Sequence, residues 1–264
     1  MTGRPIIERH ASRIKNHGQW TIGKRPEGTR IYNLQYTMRY RAILFDLDDT
    51  LYDLRSYWRG RLHEAIDDVL ARYPHFDRDT LVHQAITEKV YIEKLPAFLR
   101  SQGVDDEPLI AAAHELFGRD WFGRLVLFDD ALQTLEALRP RFKLGLVTNG
   151  PSRTQRPKIE QFQLIDYFDL LIVSEEVGVA KPDPTIFAIA LERLGVAPSE
   201  ALFVGDSPEF DLLGAAAAGM PFIWMNPRGE RLPADVEQPI AVIERLTELL
   251  PLLDGRSVLD KMTR

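Results

Sequence analysis

One stretch, Ala42-Ile43-Leu44-Phe45-Asp46-Leu47-Asp48-Asp49-Thr50-Leu51, constrains the chain more than any other. A short apolar run with no internal charge has the pattern of a strand buried on both faces, and it ends abruptly in carboxylates. Strand side chains alternate between faces, so Asp46 and Asp48 are expected on one side and Leu47 on the other. Two like charges a few ångströms apart repel unless a cation or a proton lies between them. That pattern suits a divalent metal with a nucleophile and an acid. The competing reading is a solvated loop after a strand.

After Leu51 the periodicity turns helical. Tyr57, Leu62, Ile66, Val69 and Leu70 recur at helical spacing, and Pro74 stops the run. Leu81 to Tyr91 and Ile110 to Phe122 predict two more helices. A helical insert over residues 52–127, directly after a site-bearing strand, has the form of a lid. From Phe128 strands and helices alternate, as a parallel sheet with crossover helices requires. Expected strands are Leu144 to Val147, Leu170 to Val173, Ala201 to Val204 and Phe222 to Met225. Expected helices are Leu132 to Leu138, Ile159 to Phe162, Ile186 to Leu194, Glu209 to Ala218 and a final amphipathic Val242 to Leu253. The fold class is therefore α/β: a Rossmann-like parallel sheet over 39–51 and 128–253 with an inserted helical cap, and a short tail at 254–264.

In open α/β sheets ligands bind at the carboxyl ends of the strands. Polar residues interrupt the apolar pattern there: Asp46/Asp48, Thr148-Asn149-Gly150, Ser174-Glu175-Glu176 and Gly205-Asp206-Ser207. The Thr148 hydroxyl and the backbone N–H groups after it can hold a phosphoryl oxygen; an ordinary Asn-Gly turn is the alternative. Lys181, in Gly178-Val179-Ala180-Lys181-Pro182-Asp183-Pro184, comes just before a helix that Asp183 can cap. Its ammonium would neutralise phosphate and keep Asp46 ionised; the alternative is an exposed loop lysine. Asp206 at a strand end and Asp211 one turn into a helix can face one metal, unless Asp206 or Ser207 merely caps that helix. An oxygen-only donor set suits Mg²⁺.

Asp46-Leu47-Asp48-Asp49-Thr50-Leu51 resembles the first motif of the haloacid dehalogenase (HAD) superfamily. Thr148, the Lys181 loop and Gly205-Asp206-Ser207-Pro208-Glu209-Phe210-Asp211 resemble its second, third and fourth motifs. The resemblance covers roughly 39–253, and the insert resembles the helical cap of subfamily I. It implies a Mg²⁺-dependent phosphohydrolase in which Asp46 is the nucleophile and Asp48 the acid and base. Asp46, the carbonyl of Asp48, Asp206 and Asp211 would hold the metal, and Thr148, Asn149 and Lys181 the phosphoryl group. The segment from Gly145 to Asn226 is similar to subfamily IA members acting on nucleoside monophosphates or other small phosphate esters. Dehalogenases lack the second aspartate of motif one and the acidic metal site, which argues against carbon–halogen cleavage. The alternatives are a phosphomutase on the same core, a phospho-Asp receiver module and a non-catalytic binding protein. In the insert, Arg55, Tyr57, Trp58 and Arg59 are the candidate specificity residues, although aromatics at helical spacing are more often core.

Composition narrows the partners. The 264 residues contain no cysteine, which excludes disulfides and thiolate metal sites and fits a cytoplasmic setting. Residues 1–38 carry seven Lys/Arg against Glu8 and Glu27, a net of +5, leaving −11 of the formal −6 total to the remainder. An acidic body gives no reason to expect nucleic acid, and no apolar run is long enough for a bilayer. The basic leader lacks a secretory h-region; a transit peptide or an extension upstream of a start at Met38 are its readings, with poor order expected. A monomer or homodimer acting on a small phosphate ester is the expectation.

Overall fold

The computed structural model describes residues 40–254, apart from Lys89, Asp120 and Trp121. The basic leader and the last ten residues lie outside the described residues. Strand β1, Ala42–Phe45, is wholly buried because it is central: Ile43 and Phe45 enter one hydrophobic cluster, Ala42 and Leu44 the other. This two-sided burial is what an uninterrupted apolar strand demands.

The insert follows. It comprises α1 (Leu54–Arg72), α2 (Arg78–Thr87), α3 (Leu95–Ser101) and α4 (Glu107–Gly118), around a separate cluster that includes Leu62, Ile66, Leu95, Leu99 and Phe117. Helix α2 ends earlier than expected and leaves Tyr91 half-exposed in the next loop. Helix α3 was not anticipated, and α4 lies a few residues toward the N-terminus of its expected place. Asp53, Asp77 and Asp106 cap three of these helices by accepting from backbone N–H groups of Ser56, Thr80 and Leu109. Chain entry and exit run side by side. The Phe128 N–H donates to the Leu51 carbonyl at 2.9 Å, and Tyr52 bridges Leu127 in antiparallel fashion.

Alternation then proceeds through α5 (Ala131–Leu138), β2 (Lys143–Thr148), α6 (Ser152–Gln161), β3 (Leu170–Val173), α7 (Ser174–Val177), α8 (Pro184–Leu194) and β4 (Ala201–Gly205). A wide π-type turn, Pro208–Leu212, leads into the short α9, Leu213–Ala217, before β5, Phe222–Met225. Where the periodicity predicts one helix from Glu209 to Ala218, the N–H groups of Asp211 and Leu212 both reach the Ser207 carbonyl and widen the first turn. The expected last helix is also different. Ala241–Ile243 forms β6, a 3₁₀ turn covers Leu246–Glu248, and α10 is only Leu249–Leu253. Ile243, Leu246 and Leu249 have helical spacing but are buried from three different local conformations, and the β-branched Val242-Ile243 pair extends the sheet.

The sheet is all-parallel in the order β3-β2-β1-β4-β5-β6. With β1 between β2 and β4, the residues after these three strands converge on one rim. No helix among the described residues is long and apolar enough to cross a membrane.

Candidate active site

Asp46, Asp48, Thr148, Asn149, Lys181, Asp206 and Asp211 all line one cleft of about 750 Å³, between the sheet rim and helices α1 and α2. Asp46, Thr148 and Asp206 come at the ends of apolar strands, so the backbone ladder fixes where they start. The Asp46 N–H donates to Val204 at 2.9 Å, and the Trp224 indole donates to the Asp206 carbonyl at 2.7 Å. Asn149 has a role the sequence does not suggest. Its side chain donates to the Lys181 carbonyl (2.8 Å) and accepts from the Lys181 N–H (2.9 Å). Both ends of the amide are thereby engaged in holding the lysine loop, with one Nδ2 hydrogen, among the described residues, still free to donate. The Gly150 N–H is also taken, by Ser174 Oγ at 2.9 Å.

Carboxylate oxygens of Asp46, Asp206 and Asp211 lie within 4.8 Å of one another. The buried Lys181 ammonium touches two of them, Asp46 at 2.5 Å and Asp211 at 2.7 Å. Three carboxylates face one touching ammonium, with the Arg228 guanidinium farther off at 4.0 Å from Asp206, and the negative charge left over is what a divalent cation would offset. Burial pushes the Asp46 carboxyl up to about 7, against the pull of Lys181. Burial, then Asp211 and Asp46, push Asp206 well above the usual carboxylate range. For Lys181 burial alone would favour the neutral amine, but Asp211 and Asp46 outweigh it and hold the ammonium above the ordinary lysine range. Lys181 is thus one charge among three, too little to keep Asp46 ionised by itself.

Asp48 belongs to a different set of contacts. Its carboxylate is outside the three-carboxylate group, so only its main-chain carbonyl remains for the metal role. Oδ1 accepts from Lys158 Nζ and Tyr52 Oη, each at 2.5 Å, and Oδ2 from Gln155 Nε2 at 3.0 Å. Burial would raise this carboxyl, but the Lys158 ammonium and the three donors bring it below its ordinary value. Gln155 also donates to Thr148 Oγ1 at 2.5 Å, which leaves the hydroxyl hydrogen of Thr148 to be donated elsewhere. Sequence reasoning missed Gln155 and Lys158. The signal was present: with Ile159 and Phe162 they form an i, i+3, i+4, i+7 stripe on α6, where polar residues occupy the buried face.

The four insert residues separate. Trp58, Arg55 and Arg59 line the cleft, whereas Tyr57 lines another cavity and its hydroxyl accepts from the Phe122 N–H at 3.0 Å. Trp58 also packs edge-on against Phe117, so it belongs to core and cleft together. Arg55 pairs with Glu230. A further residue emerges here: Arg228 reaches Asp49 (3.2 Å), Asp53 (3.1 Å) and, more distantly, Asp206 (4.0 Å), tying the start of α1 to the loop after β5. Glu175 and Glu176 lie away from the metal-type group and hold the start of α6 through Ser152 and Arg156.

Comparison with known proteins identifies the family and the fold. Residues 40–219 match the family model for haloacid dehalogenase-like hydrolases. A glyceraldehyde 3-phosphate phosphatase of Methanopyrus kandleri is 35% identical over 81% of this chain and 97% of its own. The pyrimidine 5'-nucleotidase YjjG of Escherichia coli is 44% identical over 47% of this chain and 55% of its own. Among solved structures, the magnesium-bound HAD-hydrolase YfnB from Bacillus subtilis superposes with a TM-score of 0.62 at 28% identity, covering 82% of this chain and 99% of that one. With sheet order, strand-end carboxylates and relatives in accord, the chain belongs to the haloacid dehalogenase-like hydrolases and stands among their phosphatases.

Proposed function

We propose that the chain is a Mg²⁺-dependent phosphomonoesterase that acts on a small phosphorylated metabolite through a phosphorylated Asp46. The observation that carries this reading is the group of Asp46, Asp206 and Asp211 with a single ammonium among them. Hard oxygen donors and an excess of negative charge fit Mg²⁺, which Asp46, the Asp48 carbonyl and Asp206 would hold with Asp211 in support. When bound, the ion would neutralise charge on the phosphoryl oxygens.

The Asp46 carboxylate attacks phosphorus in line as the bond to the leaving oxygen breaks, and Asp48, entering this step in its protonated form, gives that oxygen its proton. Asp48 then takes a proton from the water that attacks the Asp46 phosphoester, releasing phosphate and restoring Asp46. Lys181 and the Thr148 hydroxyl line the same cleft as Asp46 and stabilise the charge of the phosphoryl group. The leaving group occupies the cleft beneath α1 and α2, where Trp58, Tyr91 and Arg59 meet it. A ring-bearing ester, such as a nucleoside monophosphate or a sugar phosphate, fits that lining.

A phosphate-release screen over a metabolite panel, with Mg²⁺ and with EDTA, tests the reading. Release that needs Mg²⁺ is expected; no phosphate from any ester would overturn it. Activation by a catalytic sugar bisphosphate would point instead to a phosphomutase.

A further inference from the structure

Lys158 has no part in the reaction just described, yet it is one of the most deeply buried charges among the described residues, at 2% exposure. Burying an ammonium is costly, and beside Ile159 an apolar side chain would fill the same space at lower cost. Its surroundings show what the charge is used for. Nζ lies 2.5 Å from Asp48 Oδ1 and 5.0 Å from the centroid of the Phe122 ring. One helical turn earlier, Gln155 spans Asp48 Oδ2 and Thr148 Oγ1, and Tyr52 donates to Oδ1 from the other side.

An aspartate carboxylate turns easily about its last bond and offers about four acceptor sites. Lys158 and Tyr52 fill both on Oδ1, and Gln155 takes one on Oδ2. One site, on Oδ2, is left.

We propose that Lys158, with Gln155, is a positioning residue that fixes the Asp48 carboxyl so that this remaining Oδ2 position faces the leaving oxygen, carrying the proton when Asp48 acts as acid and accepting one from water when it acts as base. The inference rests on the reading of Asp48 as acid and base. Lys158 touches neither phosphorus nor leaving group; it acts through Asp48.

The test uses the full chain with Mg²⁺ and two esters, an alkyl phosphate, whose alkoxide must be protonated to leave, and p-nitrophenyl phosphate, whose phenolate leaves without help. In Lys158→Met, kcat/KM for the alkyl ester should fall on the order of 100-fold, and for the aryl ester by about tenfold or less. KM should change little, and Lys158→Arg should restore part of the loss. Asp48→Asn supplies the reference. If it shows the unequal loss and Lys158→Met loses both esters equally, Lys158 is only structural and the proposal fails. If Asp48→Asn itself loses both equally, the acid–base reading fails first and takes this inference with it. Should Lys158→Met not fold, Gln155→Leu must show the same unequal loss in smaller degree; equal losses there overturn the proposal.

Discussion

Gly205 and Asp211 occupy one another's space: a Cβ at residue 205 would lie 2.6 Å from the Asp211 Cγ. The last residue of β4 is bare so that a carboxylate from the next turn can lie against the strand. Gly205→Ala must therefore move either the strand end or Asp211. A loss of about 1–3 kcal/mol in stability is expected, with weakened Mg²⁺ binding. Calorimetric titration with Mg²⁺ and thermal unfolding check both; unchanged affinity would show that Asp211 is dispensable to the ion.

Asp46→Asn keeps the shape of the side chain and removes the nucleophile. Turnover of an aryl phosphate should fall on the order of 10⁴-fold or more, with the fold intact by circular dichroism. In EDTA this variant should melt higher than the parent, because one of three crowded carboxylates has lost its charge.

The crowding also sets a pH dependence. Asp46 is held at about 7, above its unfolded value, and Asp206 is shifted the same way. Such groups stabilise the metal-free protein at low pH, and that contribution is lost as pH rises from about 4 through about 7, on the order of a few kcal/mol. Asp48 is shifted down, so its opposite effect falls below about pH 4 and outside this window. Mg²⁺ needs the ionised carboxylates, so its stabilising effect should grow across the same interval. Melting curves near pH 5 and pH 8, with Mg²⁺ and with EDTA, decide the matter; a Mg²⁺ increment that shrinks with pH contradicts the assignment.

Arg228 joins the carboxylates of Asp49 and Asp53 across the junction of sheet and insert. Arg228→Ala leaves those two partly buried acids facing each other. A destabilisation of about 1–3 kcal/mol is expected, together with a raised KM as α1 loses its tie to the β5 loop. Unfolding and steady-state kinetics measure the two effects separately.

Arg59 is exposed, lines the cleft and makes no ion pair among the described residues. Arg59→Ala should leave stability within about 0.5 kcal/mol and raise KM for esters whose leaving group is itself anionic. An equal KM for every ester would remove Arg59 from the recognition surface.

Much of this was legible in the sequence for one physical reason. Asp46, Thr148 and Asp206 each end an apolar run, so a strand and its terminus could be placed without knowing the neighbours. Lys158 and Gln155 escaped because a polar residue on a helix is read as solvent-facing until the stripe they share with Ile159 and Phe162 is noticed. Asn149 was assigned by its motif, but its amide is committed to Lys181 by a contact between distant loops that no local pattern encodes. The last strand was lost because Ile243, Leu246 and Leu249 imitate a helical period although only Ile243 lies in the edge strand.

The paired crossing at Leu51–Tyr52 and Leu127–Phe128 has a consequence for how such a chain diversifies. A segment whose two ends meet at a single backbone bridge can be exchanged for another segment with equally close ends. Substrate range can then change by replacing everything between those two points, while the register of the six strands, and the acidic rim they hold, is inherited unaltered.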